Sequence, residues 1–278
     1  MNKTQIEWVK NPDGTQGYTW NPITGCLNGC EYCYARKLAN TRLKERYLAN
    51  TNLAPGYVQA RGVLREGAIP PNKDPFYPRF WEDRLEGITN RQIPRGIFTC
   101  DMSDLFGIGI PEKWTWRILN LITYASQHRF YLLTKQPQNL IKFSPFPDNC
   151  WCGVTVTKPE FLIAALDALD RIQCSLRYLS IEPMLGKFDI PDLDILLEGT
   201  LDWLILGSQT KPYKPPKIEW VREIVEACDK AGIPVFLKDN LSSLFAKDDC
   251  VGFTENKQLF KIIDNFPTRY HLRQEMPK

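Results

Sequence analysis

The chain has 278 residues, 43% hydrophobic and 24% charged, and its 35 basic and 32 acidic side chains give a formal charge of +3. That length and composition support a sizeable apolar core and exclude disordered, collagen-like and coiled-coil chains, while the charge is too mild to argue for nucleic acid by itself. The apolar runs are too short to span a bilayer, and no apolar stretch follows Lys3, so neither a membrane partner nor a secretory signal is expected.

In chain order, Tyr18–Thr24 reads as a strand that runs into a tight cysteine group, and 31–47 as a helix carrying Arg36, Lys37, Arg42, Lys44, Glu45 and Arg46. Residues 50–95, with Pro55, Pro70, Pro71, Pro75, Pro78 and Pro94, form an irregular insertion. Within it Tyr77–Trp81 interleaves arginine with aromatics, as a packed lid or a base-stacking surface. From there short β-rich runs alternate with stretches of helical period. The runs are 96–100, 130–134, 152–156, 177–181, 203–207 and 234–237; helices are expected near 112–127, 159–172 and 217–231, with Gly232 just past the last. Alternation of this kind means parallel pairing. The fold class predicted is therefore α/β, a partial or complete (β/α) barrel, with an open doubly wound sheet as the runner-up. One domain, 1–278, is expected: a core at 18–240 with the insertion at about 50–95, and a C-terminal extension at 241–278. A barrel would carry its functional groups at the C-terminal strand ends.

Nine cysteines in a chain of this length fit a reducing, cytoplasmic setting better than a disulfide framework. Cys26, Cys30 and Cys33 form a C-x3-C-x2-C group on a loop with Gly25 and Gly29; Cys100, Cys150, Cys152, Cys174, Cys228 and Cys250 are scattered and read as core thiols. Three thiolates so close can converge on one centre. A structural zinc site wants four ligands, and the two histidines, His128 and His271, are remote. A [4Fe–4S] cluster held by three cysteines leaves one iron open. At the end of the fifth core strand Glu182, directly after Leu-Ser-Ile, is a carboxylate in a setting where burial is expected, so it needs a task or a partner; Lys238 at the end of the last strand could pair with it.

The cysteine spacing, with Tyr32 before the third cysteine, resembles the signature of the radical S-adenosylmethionine (radical SAM) superfamily. Further stretches resemble an uncharacterised, phage-associated branch of it, the three-cysteine-motif proteins: Trp-Asn-Pro-Ile-Thr-Gly-Cys (20–26), Cys-Glu-Tyr-Cys-Tyr-Ala (30–35), Asp-Met-Ser-Asp-Leu-Phe (101–106), Leu-Leu-Thr-Lys (132–135), Leu-Ser-Ile-Glu-Pro-Met-Leu-Gly (179–186) and Gly-Ile-Pro-Val-Phe-Leu-Lys (232–238). The resemblance implies a [4Fe–4S] cluster on Cys26, Cys30 and Cys33, S-adenosylmethionine as cofactor, and an electron donor such as flavodoxin or ferredoxin. It also implies that Tyr32 lies beside the adenine and that Asp101, Ser103 and Asp104 receive the amino group. Thr155 and Thr157 would reach the ribose, and Glu182 would bind the cofactor. Lys135, Glu182 and Lys238 are the candidate catalytic residues. Relatives tend to carry Gly-Gly-Glu-Ser-Gly after the strand at 203–207, where this chain has Gly207-Ser208-Gln209 and lacks the charge.

The function expected is reductive cleavage of S-adenosylmethionine followed by hydrogen abstraction from an unidentified substrate, with a nucleic acid or nucleotide as the candidate. The competing readings are a zinc- or cluster-stabilised nucleic-acid-binding or interaction protein without catalysis, and a family member whose catalysis has lapsed.

Overall fold

The computed structural model describes residues 1–55, 69–188, 199–244, 257–265 and 268–277, so Cys250 and parts of the expected insertion and C-terminal extension lie outside the described residues. The chain divides into two compact units, residues 1–151 with 172–175, and residues 152–171 with 176–278.

In the first unit β1 (Asn2–Lys3) lies antiparallel to β2 (Tyr18–Trp20). A second small sheet pairs β3 (Ile23–Thr24) with β4 (Arg79–Phe80). β5 (Gly96–Thr99) and β6 (Arg129–Thr134) extend β2 in parallel, in the register Tyr18↔Ile97 and Ile97↔Phe130. β7 (Cys150–Thr155) begins where this unit ends. In the second unit β8 (Leu176–Ile181), β9 (Trp203–Leu206) and β12 (Val235–Leu237) are parallel neighbours, with Ser180↔Ile205 and Ile205↔Phe236 in register. Between them β10 (Gln209–Thr210) and β11 (Tyr213–Lys214) form an antiparallel pair, as do β13 (Phe260–Asn265) and β14 (Thr268–Leu272) near the end. The α/β class and the parallel strands are as the sequence predicts. β5 and β9 are buried along their whole length, which is why they read as unbroken apolar runs rather than as alternating ones.

Three of the four expected helices are broken or shorter than their periodicity suggests. The stretch 31–47 divides into α1 (Tyr34–Asn40) and α2 (Lys44–Ala49). Asn40 and Thr41 turn their side chains back to donate to the carbonyls of Arg36 (2.8 Å) and Lys37 (2.7 Å), closing the helix locally. α3 (Glu112–Tyr124) stops early because the Asn149 amide donates to the carbonyls of Ile122 and Ala125 from outside. α4 (Pro137–Leu140) is one short turn, and α5 (Leu162–Asp170) follows a 3₁₀ turn opened by Pro159. α6 (Ile218–Ala231) buries Val221, Ile224, Val225 and Cys228 and ends on Gly232 at φ 70°, as expected.

The run Tyr77–Trp81 is mostly interior. Tyr77 and Phe80 are buried, Phe80 stacks on Trp114, and Arg79 is wholly buried with its guanidinium donating to the carbonyls of Asn50, Pro71, Asp74 and Tyr77. Trp81 is the half-buried member, with Arg84 3.8 Å and Arg46 5.8 Å from its ring centroid. The packed-lid reading therefore fits Tyr77, Arg79 and Phe80, and a base-stacking surface does not.

His128, one of the two remote histidines, is also buried, and burial holds its pKa below the ordinary histidine value. The folded state therefore favours the neutral ring, and its contribution to stability is present above the unfolded pKa and lost as pH falls. Stability should decline as pH drops below about 6.5. A His128→Phe variant should lack that segment of the profile, which urea denaturation across pH 5–8 would measure.

Candidate cysteine-loop site

Strand β3 delivers the chain to Gly25, whose φ of +87° and position suit no other residue: an added Cβ would lie 2.4 Å from the Tyr77 carbonyl oxygen. The loop is pinned on both sides by backbone bonds, from the Gly25 N–H to the Met102 carbonyl (2.9 Å) and from the Cys26 N–H to the Phe76 carbonyl (3.0 Å). Ser103 adds a side-chain bond, its hydroxyl donating to the Gly25 carbonyl at 2.5 Å. Cys33 then caps α1, its sulfur accepting the Arg36 N–H at 3.3 Å, while the Cys26 sulfur accepts the Asn28 N–H at 3.4 Å.

Cys26, Cys30 and Cys33 are free thiols and half-buried. Cys26 and Cys33 pack against an apolar group of Ala35, Ala39, Tyr47, Phe76 and Met102. Burial pushes the Cys26 thiol up to about 12; Asp104 adds to that and the Asn28 N–H opposes it, and the other two thiols raise it further. Cys30 is also raised by burial, with Lys135 opposing. The three sulfurs thus lie within electrostatic reach of one another. Among the described residues no three His, Cys, Asp or Glu side chains gather closely enough to hold a single metal ion. A lone tetrahedral zinc would need its sulfurs about 3.8 Å apart, given Zn–S near 2.3 Å. The ligands of a cubane cluster each sit on a different iron and are spaced more widely. The donor set fits such a cluster: three thiols, two of them already accepting backbone N–H bonds, on an apolar bed.

The residues around the loop form a hydrogen-bonded frame. β5 leads into Cys100, which at φ 67° is the one non-glycine residue in the left-handed region among the described residues, a conformation costing about 1–2 kcal/mol. That bend delivers Asp101 and Asp104. Asp101 accepts from the Asn21 amide at 2.5 Å, and its carbonyl accepts from the Tyr34 hydroxyl at 2.7 Å. Burial raises its pKa, and the hydrogen bonds from Asn21, Tyr34 and Thr19 counter that rise. Asp104 is buried and accepts from Thr134, Phe106, Asn28 and the Lys135 N–H. The Lys135 ammonium stands 5.7 Å from the Tyr32 ring centroid. Tyr32, Asp101, Ser103, Asp104 and Lys135 therefore do gather around the cysteines. Asn21, Asn28, Tyr34 and Gln136 were not singled out by the sequence, although Asn21 and Tyr34 lie within the quoted stretches and Asn28 between the first two cysteines.

The remaining candidates belong to the second unit. Thr155 and Thr157 are half-buried at the end of β7, where the Val156 N–H bonds the Ser180 carbonyl at 2.9 Å. Lys238 donates directly to Glu182, and both are largely shielded. Gly207 makes room for that pair, since a Cβ there would lie 3.1 Å from both side chains. Glu182 and Lys238 thus form an ion pair, the partner the sequence offered for the carboxylate. Glu182→Gln should lower stability by about 1–2 kcal/mol by leaving the ammonium without its counter-charge, and Glu182→Gln with Lys238→Met should recover most of it. Chemical denaturation of the two variants beside the wild type measures this, and equal losses in the single and double variants would sink it. Gln209, at the departure from its relatives, closes its own hairpin by donating to the Pro212 carbonyl at 2.9 Å.

No membrane-crossing helix is present among the described residues. No curated protein sequence matches the chain. Among solved structures it is similar to variants of spore photoproduct lyase. One cysteine-to-serine variant is 11% identical, with a TM-score of 0.46, covering 85% of this chain and 78% of that one. Another variant, with bound AdoMet and dinucleoside spore photoproduct, is 13% identical, with a TM-score of 0.40, covering 92% and 68%. Likeness that loose transfers neither activity nor ligand to this chain. At the level of sequence families the match is direct: residues 3–252 fit the family described as a protein of unknown function, DUF5131, and the chain belongs to that family.

Proposed function

We propose that the protein is a radical SAM enzyme whose Cys26, Cys30 and Cys33 hold a [4Fe–4S] cluster. The observation that carries the reading is the loop itself: three free, half-buried thiols in C-x3-C-x2-C spacing, on an apolar bed just after β3, with sulfurs already accepting backbone N–H bonds. When bound, the cluster would supply the single electron that cleaves S-adenosylmethionine. The chain's own residues would hold and orient. Gly25 and Ser103 fix the loop against the Asp101–Asp104 turn. Asp101, half-buried and bonded by Asn21, is the carboxylate assigned to the cofactor's amino group. Tyr32, with the Lys135 ammonium near its face, is assigned to the adenine side. Thr155, Thr157 and Glu182 are assigned to the cofactor on the resemblance alone.

For the substrate we propose an anionic nucleotide or nucleic acid. α1, α2 and the turn between them expose Lys37, Arg42, Lys44 and Arg46 against Glu45, and Leu38 and Leu43 of this segment pack on the same apolar group as Cys26 and Cys33. The test is anaerobic: reduced, reconstituted protein should form 5′-deoxyadenosine from S-adenosylmethionine, slowly without substrate. A reconstituted cluster with no cofactor cleavage would favour the lapsed reading, and zinc without iron would favour the structural one.

A further inference from the structure

The carboxylate of Asp104 has no acceptor left for a ligand. Its Oδ1 takes the Thr134 hydroxyl at 2.7 Å and the Phe106 N–H at 3.1 Å, and its Oδ2 takes the Asn28 amide at 2.8 Å and the Lys135 N–H at 2.9 Å. Those four donors fill the roughly four lone-pair positions a carboxylate offers. Three of them are scaffold: Thr134 and Lys135 at the end of β6, and Phe106 in the turn that Asp104 itself opens. The fourth, Asn28, lies between Cys26 and Cys30. Its amide is held from both ends, since the Asn28 Oδ1 accepts the Gln136 Nε2 at 3.1 Å, and its own N–H reaches the Cys26 sulfur at 3.4 Å. Asp104 is 6% exposed, so its carboxylate depends on these protein donors far more than on water, while Asn28, Lys135 and Gln136 around it are half-buried.

We propose that Asp104, acting through Asn28, is the positioning residue that locks the Cys26–Cys30 loop onto the end of β6 in the shape its thiolates need to hold the cluster. This rests on the cluster reading above and replaces the assignment of Asp104 to the cofactor's amino group. An amide at 104 cannot do the work: whichever way it turned, its NH₂ would face a backbone N–H, that of Phe106 on one side or that of Lys135 on the other, and neither can accept.

The test compares four variants, Asp104→Asn, Asn28→Ala, the double variant and Thr134→Val, after anaerobic reconstitution with iron and sulfide. Iron retained against a chelator should fall about tenfold in Asp104→Asn and in Asn28→Ala, as for the loss of other outer-shell partners of metal sites. The double variant should be no worse than either single one, because both cut the same link. Thr134→Val loosens the scaffold side of the same carboxylate, so it should lower the melting temperature yet keep its iron. Undiminished iron in Asp104→Asn, additive losses in the double variant, or iron that merely tracks melting temperature across all four would overturn the proposal. A second readout uses the metal-free chain: alkylation of Cys26 by iodoacetamide, followed by peptide mass, should speed up in Asn28→Ala and Asp104→Asn but not in Thr134→Val. If the wild type takes up no iron, the cluster reading fails, and the alkylation pattern still decides whether the lock exists.

Discussion

Replacing Cys30 with alanine should strip the protein of iron while leaving it folded. Purified anaerobically, the wild type is expected to be brown and to carry about four irons per chain, and the variant to be colourless with iron near background. The fold should survive because Cys30 is half-buried and sits on the loop rather than in the apolar group beneath Cys26 and Cys33. Losing a sulfur there should cost under about 1 kcal/mol in the metal-free state. A Cys174→Ala variant is the control, since that thiol is equally half-buried and lies outside the motif; it should keep both colour and iron. Stoichiometric zinc in a wild type free of iron would sink the idea.

The second large effect is on stability. Arg79 has no exposed surface, and its guanidinium donates to the backbone carbonyls of Asn50 (3.1 Å), Asp74 (2.8 Å), Tyr77 (2.8 Å) and Pro71 (3.3 Å). Burial lowers its pKa and the nearby Asp74 opposes that fall. Arg79→Met keeps much of the volume but leaves those carbonyls without a donor. At about 1–3 kcal/mol for each buried group left unpaired, and allowing for partial relaxation, the loss should exceed about 3 kcal/mol. Arg79→Lys should recover little, because one ammonium cannot reproduce a planar fork that bonds in several directions. Urea denaturation of the metal-free protein measures both. A loss below 1 kcal/mol for the methionine variant would mean that the carbonyls find other partners.

Strands β5 to β9 and β12 were legible because burial writes itself as short β-branched and aromatic runs, and those runs fall within a residue or two of the strands observed. The cysteine group was legible because its spacing is local. What escaped was long-range or depended on side chains saturating one another. The β3–β4 pairing joins residues more than fifty positions apart, and two-residue strands leave no period to read. Asp104 looked available for a ligand because nothing local in the sequence shows that Asn28, Thr134 and Lys135 converge on it. The burial of Arg79 left no mark in the sequence because its guanidinium is satisfied by backbone carbonyls, which no side-chain pattern reveals. The helix expected at 31–47 failed at Asn40 and Thr41, where polar side chains compete with the backbone for its own carbonyls.

The bond from the Cys26 N–H to the Phe76 carbonyl bears on the order in which the molecule assembles. Phe76 and Tyr77, the two carbonyls that crowd Gly25, belong to the turn that Arg79 organises, and Met102, on the other side, comes only after β5. The ligand loop therefore acquires its shape from segments made roughly fifty and seventy-five residues later in the chain. A nascent chain that has emerged only as far as Cys33 has nothing to shape the site. In small zinc modules the metal drives folding; here loading should follow folding. Iron added during refolding should leave the rate of the main folding phase unchanged, and the colour should develop only after that phase is complete.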